Sequence, residues 1–196
     1  MDGLWLIAGL GNPGPKYDRT RHNAGFWFLD AVLRRFGGEL RREKKLLGRA
    51  LKTRLDGQDV VLLAPETFMN ESGQSIRAAT DFYRIEADRV LVAHDELDLP
   101  PGTARLKQGG GHGGHNGLRS SFRHLGTPGF WRLRIGIGHP GTADQVTPWV
   151  LSRAPAGDEQ AIEASLDKAL EVLPDFLGGR PGEAMKRLHA RDRSAD

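Results

Sequence analysis

Polar side chains suited to acid–base chemistry occur in four short segments, each placed just after a predicted strand. They are Asn12 and His22, then Asn70, then His94, Asp95, Glu96 and Asp98, then His112, His115 and Asn116. No thiol can take part, because the 196-residue chain contains no cysteine. Ligands of α/β sheets lie at the carboxyl ends of the strands, so we expect these groups to converge there.

A water nucleophile fits these residue types best. One imidazole would act as general base, one carboxylate would fix its tautomer, and amides would polarise an ester carbonyl. His22 is the preferred base, since the positive end of a predicted helix should keep its ring neutral. Position alone leaves a surface role open for His22, strand-end solvation for Asp95 and a helix cap for Asn70. The residue types indicate a hydrolase without naming its substrate.

Two other chemistries match less well. A serine nucleophile would need G-x-S-x-G, and Ser72 lacks the first glycine. A metal could use His112 and His115, which are three apart, or His94 beside Asp95. A loop this rich in glycine would preorganise such ligands poorly, so we expect neither a metal nor a cofactor.

The stretch 9-GLGNPG-14 contains the G-x-G-x-x-G of a dinucleotide-binding loop. Such a loop needs its helix to begin within the motif, so that the helix N-terminus meets the pyrophosphate. Here Pro13 and Pro15 stiffen the loop, and the helical period starts only at Ala24. We therefore expect the glycines to shape a rigid turn that holds Asn12.

Strands and helices alternate along the chain. The predicted strands cover 4–10, 47–55, 60–64, 90–93, 105–107 and 131–138, the last with Arg132 and Arg134 on one face. The predicted helices cover 24–36 with Asn23 as cap, a segment ending near 83, 118–125, 156–177 and 183–190. This order predicts a single three-layer α/β domain over 1–196, with a twisted mixed sheet flanked by helices and a C-terminal basic helix and tail over about 180–196.

The charge distribution favours a polyanionic partner. The net charge is only +3, but nine basic residues face two glutamates between Arg34 and Arg54. The sequence has no signal-peptide pattern and no run near the ~20 apolar residues that span a bilayer. We expect a cytoplasmic protein without membrane contact.

Six motifs taken together resemble the bacterial peptidyl-tRNA hydrolases. They are GLGNPG (9–14), TRHNAG (20–25), TFMNESG (67–73), VAHDELDLPPG (92–102), GGGHGGHNGL (109–118) and FWRLRIGIGHPG (130–141). They reach from Gly9 to Gly141, and the chain beyond Thr142 carries no motif of this kind. The resemblance implies a monomeric α/β hydrolase that cleaves the ester between a peptide and the ribose of tRNA, without metal or cofactor.

The resemblance also implies roles at the ester for five residues, four of them catalytic (His22, Asp95, Asn70 and Asn12) and one, Asn116, substrate-binding. His22 would activate the water, and Asp95 would orient His22. Asn70 would supply the oxyanion amide, while Asn12 and Asn116 would position the peptide main chain and the ester. Amides suit a substrate whose peptide varies, because hydrogen bonds to the main chain ignore side-chain identity.

The remaining implied roles concern the tRNA and the cleft. Met69 and His115 would line the cleft, and Tyr17 would border the tRNA end. Lys107 and Arg134 would clamp the 5′ phosphate of the tRNA acceptor end. The alternative is an RNA-binding relative that keeps the fold and has lost the reaction.

Overall fold

A computed structural model describes residues 3–190 as one mixed sheet between two helical layers. The strands are β1 (Trp5–Gly9), β2 (Arg41–Glu43), β3 (Gly48–Leu55), β4 (Gln58–Pro65), β5 (Val90–Glu96), β6 (Ala104–Gln108) and β7 (Trp131–Gly136). The α-helices are α1 (Ala24–Phe36), α2 (Ser72–Tyr83), α3 (Asn116–Leu125), α4 (Val146–Val150), α5 (Ala156–Leu177) and α6 (Pro181–Ala190).

The sheet order is β2-β3-β4-β1-β5-β7-β6. Strands β4, β1, β5 and β7 run parallel, while β2, β3 and β4 pair antiparallel at one side and β6 pairs antiparallel with β7 at the other. The predicted mixed sheet is confirmed. Since the four parallel strands end at one edge, the loops after β1, β4, β5 and β7 meet there.

Alternate residues of the central strands face two separate cores. Ile7 of β1 packs into the core formed with α1, α5 and α6, while Leu6 and Ala8 face the core formed with α2 and α3. The three-layer architecture expected from the sequence is therefore present. Within residues 3–190, no helix has the length and apolarity needed to cross a bilayer.

Most predicted elements are found close to their expected bounds. Helices α1 and α5 have the predicted ends, and the hairpin turns at Asp56 (φ 48°) and Gly57 (φ 83°). Strand β2 and helix α4 were not predicted, and α3 and α6 each begin two residues early. Residues 191–196 of the predicted basic tail lie outside the described residues.

Close packing of glycines brings α1 against the ends of β1 and β5. A Cβ on Gly9 would lie 2.3 Å from the Gly25 carbonyl oxygen, and one on Gly25 would lie 2.4 Å from both the Leu10 nitrogen and the Ala93 carbonyl oxygen. Of the glycines at 9, 11 and 14, only Gly14 has a positive φ, of 104°. The expected turn is therefore found at Gly14. Gly9 has another use: because it lacks a Cβ, the backbone of β1 can lie directly against the backbone of α1.

Candidate active site

A cavity of about 570 Å³ opens at the carboxyl edge of the parallel strands. It brings together six of the ten residues to which the resemblance assigned roles: His22, Asp95, Lys107, His115, Asn116 and Arg134. They come from the segment before α1, the end of β5, strand β6, the N-terminus of α3 and strand β7. The topology therefore joins positions that are up to 112 residues apart in the sequence.

Asp95 lies at the centre of a pair of imidazoles. Its Oδ2 is 2.8 Å from His22 Nδ1, and its Oδ1 is 2.7 Å from His115 Nε2. The carboxylate is buried, while both histidine rings reach the cavity wall. Both oxygens of one buried carboxylate are thus occupied by ring nitrogens.

The hydrogen bonds of His115 determine its tautomer. Its Nδ1 accepts the backbone N–H groups of Gly117 (3.1 Å) and Leu118 (3.3 Å), which caps helix α3. A nitrogen that accepts two hydrogen bonds carries no proton, so the proton of the neutral ring is on Nε2. His115 is therefore a fixed donor to Asp95.

Two opposing effects act on each member of the His22–Asp95 pair. Burial lowers the pKa of His22, but the charge and hydrogen bond of Asp95 outweigh it, so the pKa of His22 is raised above its ordinary value of 6.5. Burial would raise the pKa of Asp95, but the two histidines hold that pKa well below its ordinary range. The helix end beside His22 was expected to favour its neutral ring, but the closer Asp95 carboxylate outweighs that effect and the direction of the pKa shift is upward.

A third imidazole lies behind this pair. His94 is buried, its Nδ1 is 2.8 Å from the Asp95 carbonyl oxygen, and its ring packs edge-on to His115 at 5.2 Å. Burial, followed by the nearby His115, lowers the pKa of His94 to about 4. Because this pKa is so low, the ring is neutral near pH 7. The hydrogen bond from its Nδ1 to the carbonyl holds the ring in place.

A second set of hydrogen bonds holds the amide of Asn12. The Asn12 N–H donates to Asn23 Oδ1 (2.9 Å), and Asn23 Nδ2 donates to the Asn12 carbonyl (3.0 Å). The Met69 N–H donates to Asn12 Oδ1 at 2.8 Å. Asn12 therefore keeps only its Nδ2 for a ligand.

The predicted helix-capping bond of Asn23 is not formed. Asn23 occupies the N-cap position of α1, yet its side chain makes no capping bond, since both its polar atoms bind Asn12. Because His22 precedes Asn23, this contact ties the base segment to the loop after β1.

The other predicted site residues differ in their exposure. Asn70 is exposed in the 3-10 helix Met69–Glu71 and has no hydrogen-bond partner among residues 3–190. Met69 is buried against Gly117. Asn116 is exposed and accepts from Arg119 (3.3 Å). Tyr17 is half-buried in the 3-10 helix Pro15–Tyr17, outside the residues that line the cavity.

Cationic side chains also line the cavity. Arg134 Nε donates to Glu96 Oε1 at 2.9 Å, and this bond contributes to a lowered pKa of Glu96 against the effect of burial. Lys107 lies opposite Arg132 in the β6–β7 ladder, which places it diagonal to Arg134 on the same face. Such diagonal neighbours are about 7–8 Å apart, a span that one phosphate can bridge. Lys107 has no acidic partner among the described residues.

The donor set at Asp95 fits a metal ion poorly. His22, Asp95 and His115 offer ligand atoms within 4.8 Å of one another. A metal on His115 Nε2 would need a lone pair there, and the proton would then sit on Nδ1, facing two N–H donors. The absence of a metal stays a prediction, which retention of activity in a chelator would check.

Sequence reasoning missed the roles of three residues. Asn23 was assigned to a helix cap, Glu96 received no function, and Arg132 was placed on a basic strand face without a role. The alternation of Arg132 and Arg134 in 131-WRLRIG-136 was the available signal, because a strand face that carries two arginines needs an anion or a carboxylate nearby. No local signal pointed to Asn23.

The fold and the site together define a hydrolase of α/β architecture. Its cleft is lined by a histidine bound to a carboxylate and by cationic side chains. The chain belongs to the peptidyl-tRNA hydrolase family, since the model of the family described as peptidyl-tRNA hydrolase matches residues 6–196. The resemblance inferred from the six motifs is thereby confirmed.

Named relatives and a solved structure agree with this membership. A peptidyl-tRNA hydrolase of Xanthomonas euvesicatoria is 58% identical over 189 residues, which cover 96% of this chain and 98% of the relative. One of Acidithiobacillus ferrooxidans is 56% identical over 186 residues, covering 95% and 98%. The crystal structure of peptidyl-tRNA hydrolase from Acinetobacter baumannii matches with a TM-score of 0.92 and 46% identity, covering 96% of this chain and 95% of that one.

Proposed function

We propose that the chain hydrolyses the ester bond of peptidyl-tRNA by attack of a water that His22 activates. The reaction, which releases tRNA, is that of the family to which the chain belongs. The observation that carries the assignment of the base is the 2.8 Å contact between His22 Nδ1 and buried Asp95. A proton held on Nδ1 leaves the lone pair on Nε2, in a ring that lines the cavity.

The reaction would proceed in two proton-balanced steps. His22 Nε2 takes a proton from water as the oxygen attacks the ester carbonyl, and the carbonyl oxygen becomes an oxyanion. The amide of Asn70, which is exposed and without a partner in residues 3–190, would donate to that oxyanion. The bond from the carbonyl carbon to the ribose oxygen then breaks, and the proton passes from His22 to the ribose. Asp95 stabilises the imidazolium in between.

Amide donors would hold the peptide. The Nδ2 of Asn12 is free of the hydrogen bonds that fix its Oδ1, so it can donate to a main-chain carbonyl. Asn116 lines the cavity at the first turn of α3, where its Nδ2 would position the ester. Met69 and His115 would line the cleft, and Tyr17 would border the tRNA end. Recognition of the main chain alone would accept many peptides.

The cationic side chains of the cavity would bind the 5′ phosphate at the acceptor end of tRNA. Lys107 and Arg134 are diagonal neighbours on one face of the sheet, and Lys107 has no acidic partner within residues 3–190. We propose further that the chain acts as a monomer, as a single domain spanning 1–196, in the cytoplasm where its substrate is made.

Replacing the base tests this mechanism. His22→Ala should lower the release of tRNA from N-blocked aminoacyl-tRNA by about 10²–10⁴-fold. His124→Ala removes a histidine of α3 that does not line the cavity, and it should act like the parent chain. Full activity of His22→Ala would refute His22 as base. Tight tRNA binding without turnover by the parent chain would instead support the RNA-binding alternative.

A further inference from the structure

Arg132 is a buried cation without an acidic partner in the part of the chain that the structure describes. It lies on β7, is 1% exposed and is among the largest fully buried side chains. Its Nη1 donates to the carbonyls of Pro128 (2.8 Å) and Phe130 (2.7 Å), and its Nη2 donates to the carbonyl of Gly110 (2.9 Å). Its Nε is buried without a partner among residues 3–190.

Burying a guanidinium in this way is unfavourable. Burial lowers the pKa of Arg132 to about 10, and no carboxylate offsets that cost. Its Cζ is 4.3 Å from the Phe130 ring centre and 5.1 Å from that of Phe122, and these cation–π contacts recover part of the lost solvation. Hydrophobic packing alone would be served better by an apolar residue, so the charge or the donors of Arg132 have another use.

The position of Arg132 connects it to the proposed phosphate site. It lines the same cavity as Lys107 and Arg134, and it is the cross-strand neighbour of Lys107. Like charges directly opposite on a ladder repel each other, and an anion between them relieves that repulsion. The wall of the cavity thus carries these three cations, and among the described residues Glu96 is the acidic partner of Arg134.

Gly110 is the link between the buried cation and Lys107. Its carbonyl accepts from Arg132, and its backbone has a φ of 95°. A Cβ on Gly110 would lie 2.8 Å from both Cε and Nζ of Lys107. The backbone of the glycine-rich loop therefore packs directly on the ammonium group, and it is held there by Arg132.

We infer that Arg132 is a positioning residue of the phosphate site, which fixes Gly110 and thereby the ammonium of Lys107, and which adds a charge behind them. This inference rests on the proposed function of Lys107 and Arg134. It extends the site to a residue that is 1% exposed. It also gives a reason for glycine at 110, because a side chain there would push Lys107 aside.

The test compares two substrates that differ only in the 5′ phosphate. N-acetyl-aminoacyl-tRNA is assayed before and after phosphatase treatment. The ratio of kcat/KM for the phosphorylated substrate to kcat/KM for the dephosphorylated substrate reports phosphate recognition. Charge-assisted hydrogen bonds lead us to expect a ratio of about 10 or more for the parent chain and a ratio near one for Lys107→Met. Lys52→Met, on the distant strand β3, removes an exposed charge and should keep the parental ratio.

Arg132→Met and Arg132→Lys should each lower the ratio at least about threefold, through a higher KM for the phosphorylated substrate. The lysine variant retains the charge and is the milder change for folding, but it lacks the fork that reaches Gly110. Gly110→Ala should lower the ratio as well. If Arg132 acts through Gly110, combining Arg132→Lys with Gly110→Ala should add little to either single effect.

The outcomes separate this inference from the proposed function. If the ratio is near one in Lys107→Met but parental in both Arg132 variants, the inference about Arg132 is overturned, while the proposed phosphate site still stands. Additive effects of Arg132→Lys and Gly110→Ala would overturn the coupling through Gly110. A parental ratio in Lys107→Met would refute the proposed phosphate site, and the role of Arg132 with it.

Discussion

Asp95→Asn should reverse the tautomer of His22 rather than merely weaken a contact. The fixed proton of His115 Nε2 needs an acceptor, because Nδ1 of that ring already accepts two backbone N–H groups. The oxygen of the new amide must therefore face His115, and its NH₂ then faces His22 Nδ1. That nitrogen becomes the acceptor, the proton moves to Nε2, and the ring can no longer accept a proton from water.

The size of the effect follows from the cost of the opposite amide orientation. Turning the amide would set its NH₂ against the proton of His115 and leave a buried donor unsatisfied, at a cost of about 1–3 kcal/mol. At most about one molecule in six then holds His22 in the productive tautomer. The imidazolium formed during reaction also loses its carboxylate. Together these losses predict a decrease of about 10²–10⁴-fold in the single-turnover rate.

A second substitution tests the cause. In Asp95→Asn combined with His115→Ala, the amide is free to turn its oxygen to His22 Nδ1, so the double variant should be at least about fivefold faster than Asp95→Asn. The assay is single-turnover release of tRNA from N-blocked aminoacyl-tRNA, with melting temperatures to verify folding. An Asp95→Asn rate within tenfold of the parent, or a double variant no faster than the single one, would refute the reasoning.

Three further predictions concern pH and packing. The acid limb of kcat/KM should have its midpoint above 6.5, since His22 must be neutral to act and its pKa is raised in the folded chain; a midpoint below 6.5 would contradict this. His94 stays neutral in the folded chain down to about pH 4, whereas the unfolded chain takes up that proton near 6.5. The unfolding free energy should thus fall by up to about 3 kcal/mol between these pH values, and urea titrations of His94→Asn should show a smaller fall than the parent. Gly25→Ala should destabilise the fold by about 1–3 kcal/mol, because its Cβ would meet three backbone atoms of Leu10 and Ala93, and it should slow the reaction, because Gly25 follows His22 by three residues. Gly157→Ala, with open space around its Cβ, should leave the melting temperature the same or higher.

Local patterns were sufficient for most of the elements and for the family. Helices α1 and α5 begin and end as the spacing of their apolar residues predicts, because helix period and terminating glycines are properties of neighbouring residues. The motif order identified the family for the same reason, since each motif is a short contiguous stretch. Strand β2 escaped prediction because Arg41–Glu43 is short and polar, and it pairs only because β3 presents a free edge.

The amino-acid sequence by itself determined which groups could react, the order of strands and helices, and the family. The tertiary structure decided what state those groups are in. The pKa of His22 is raised by a carboxylate 73 residues away, against the helix end beside it, and Asn23 binds Asn12 instead of capping its own helix. Hydrogen bonds and Coulomb interactions depend on distance in space, so proton positions and buried charges such as Arg132 follow only from the folded chain.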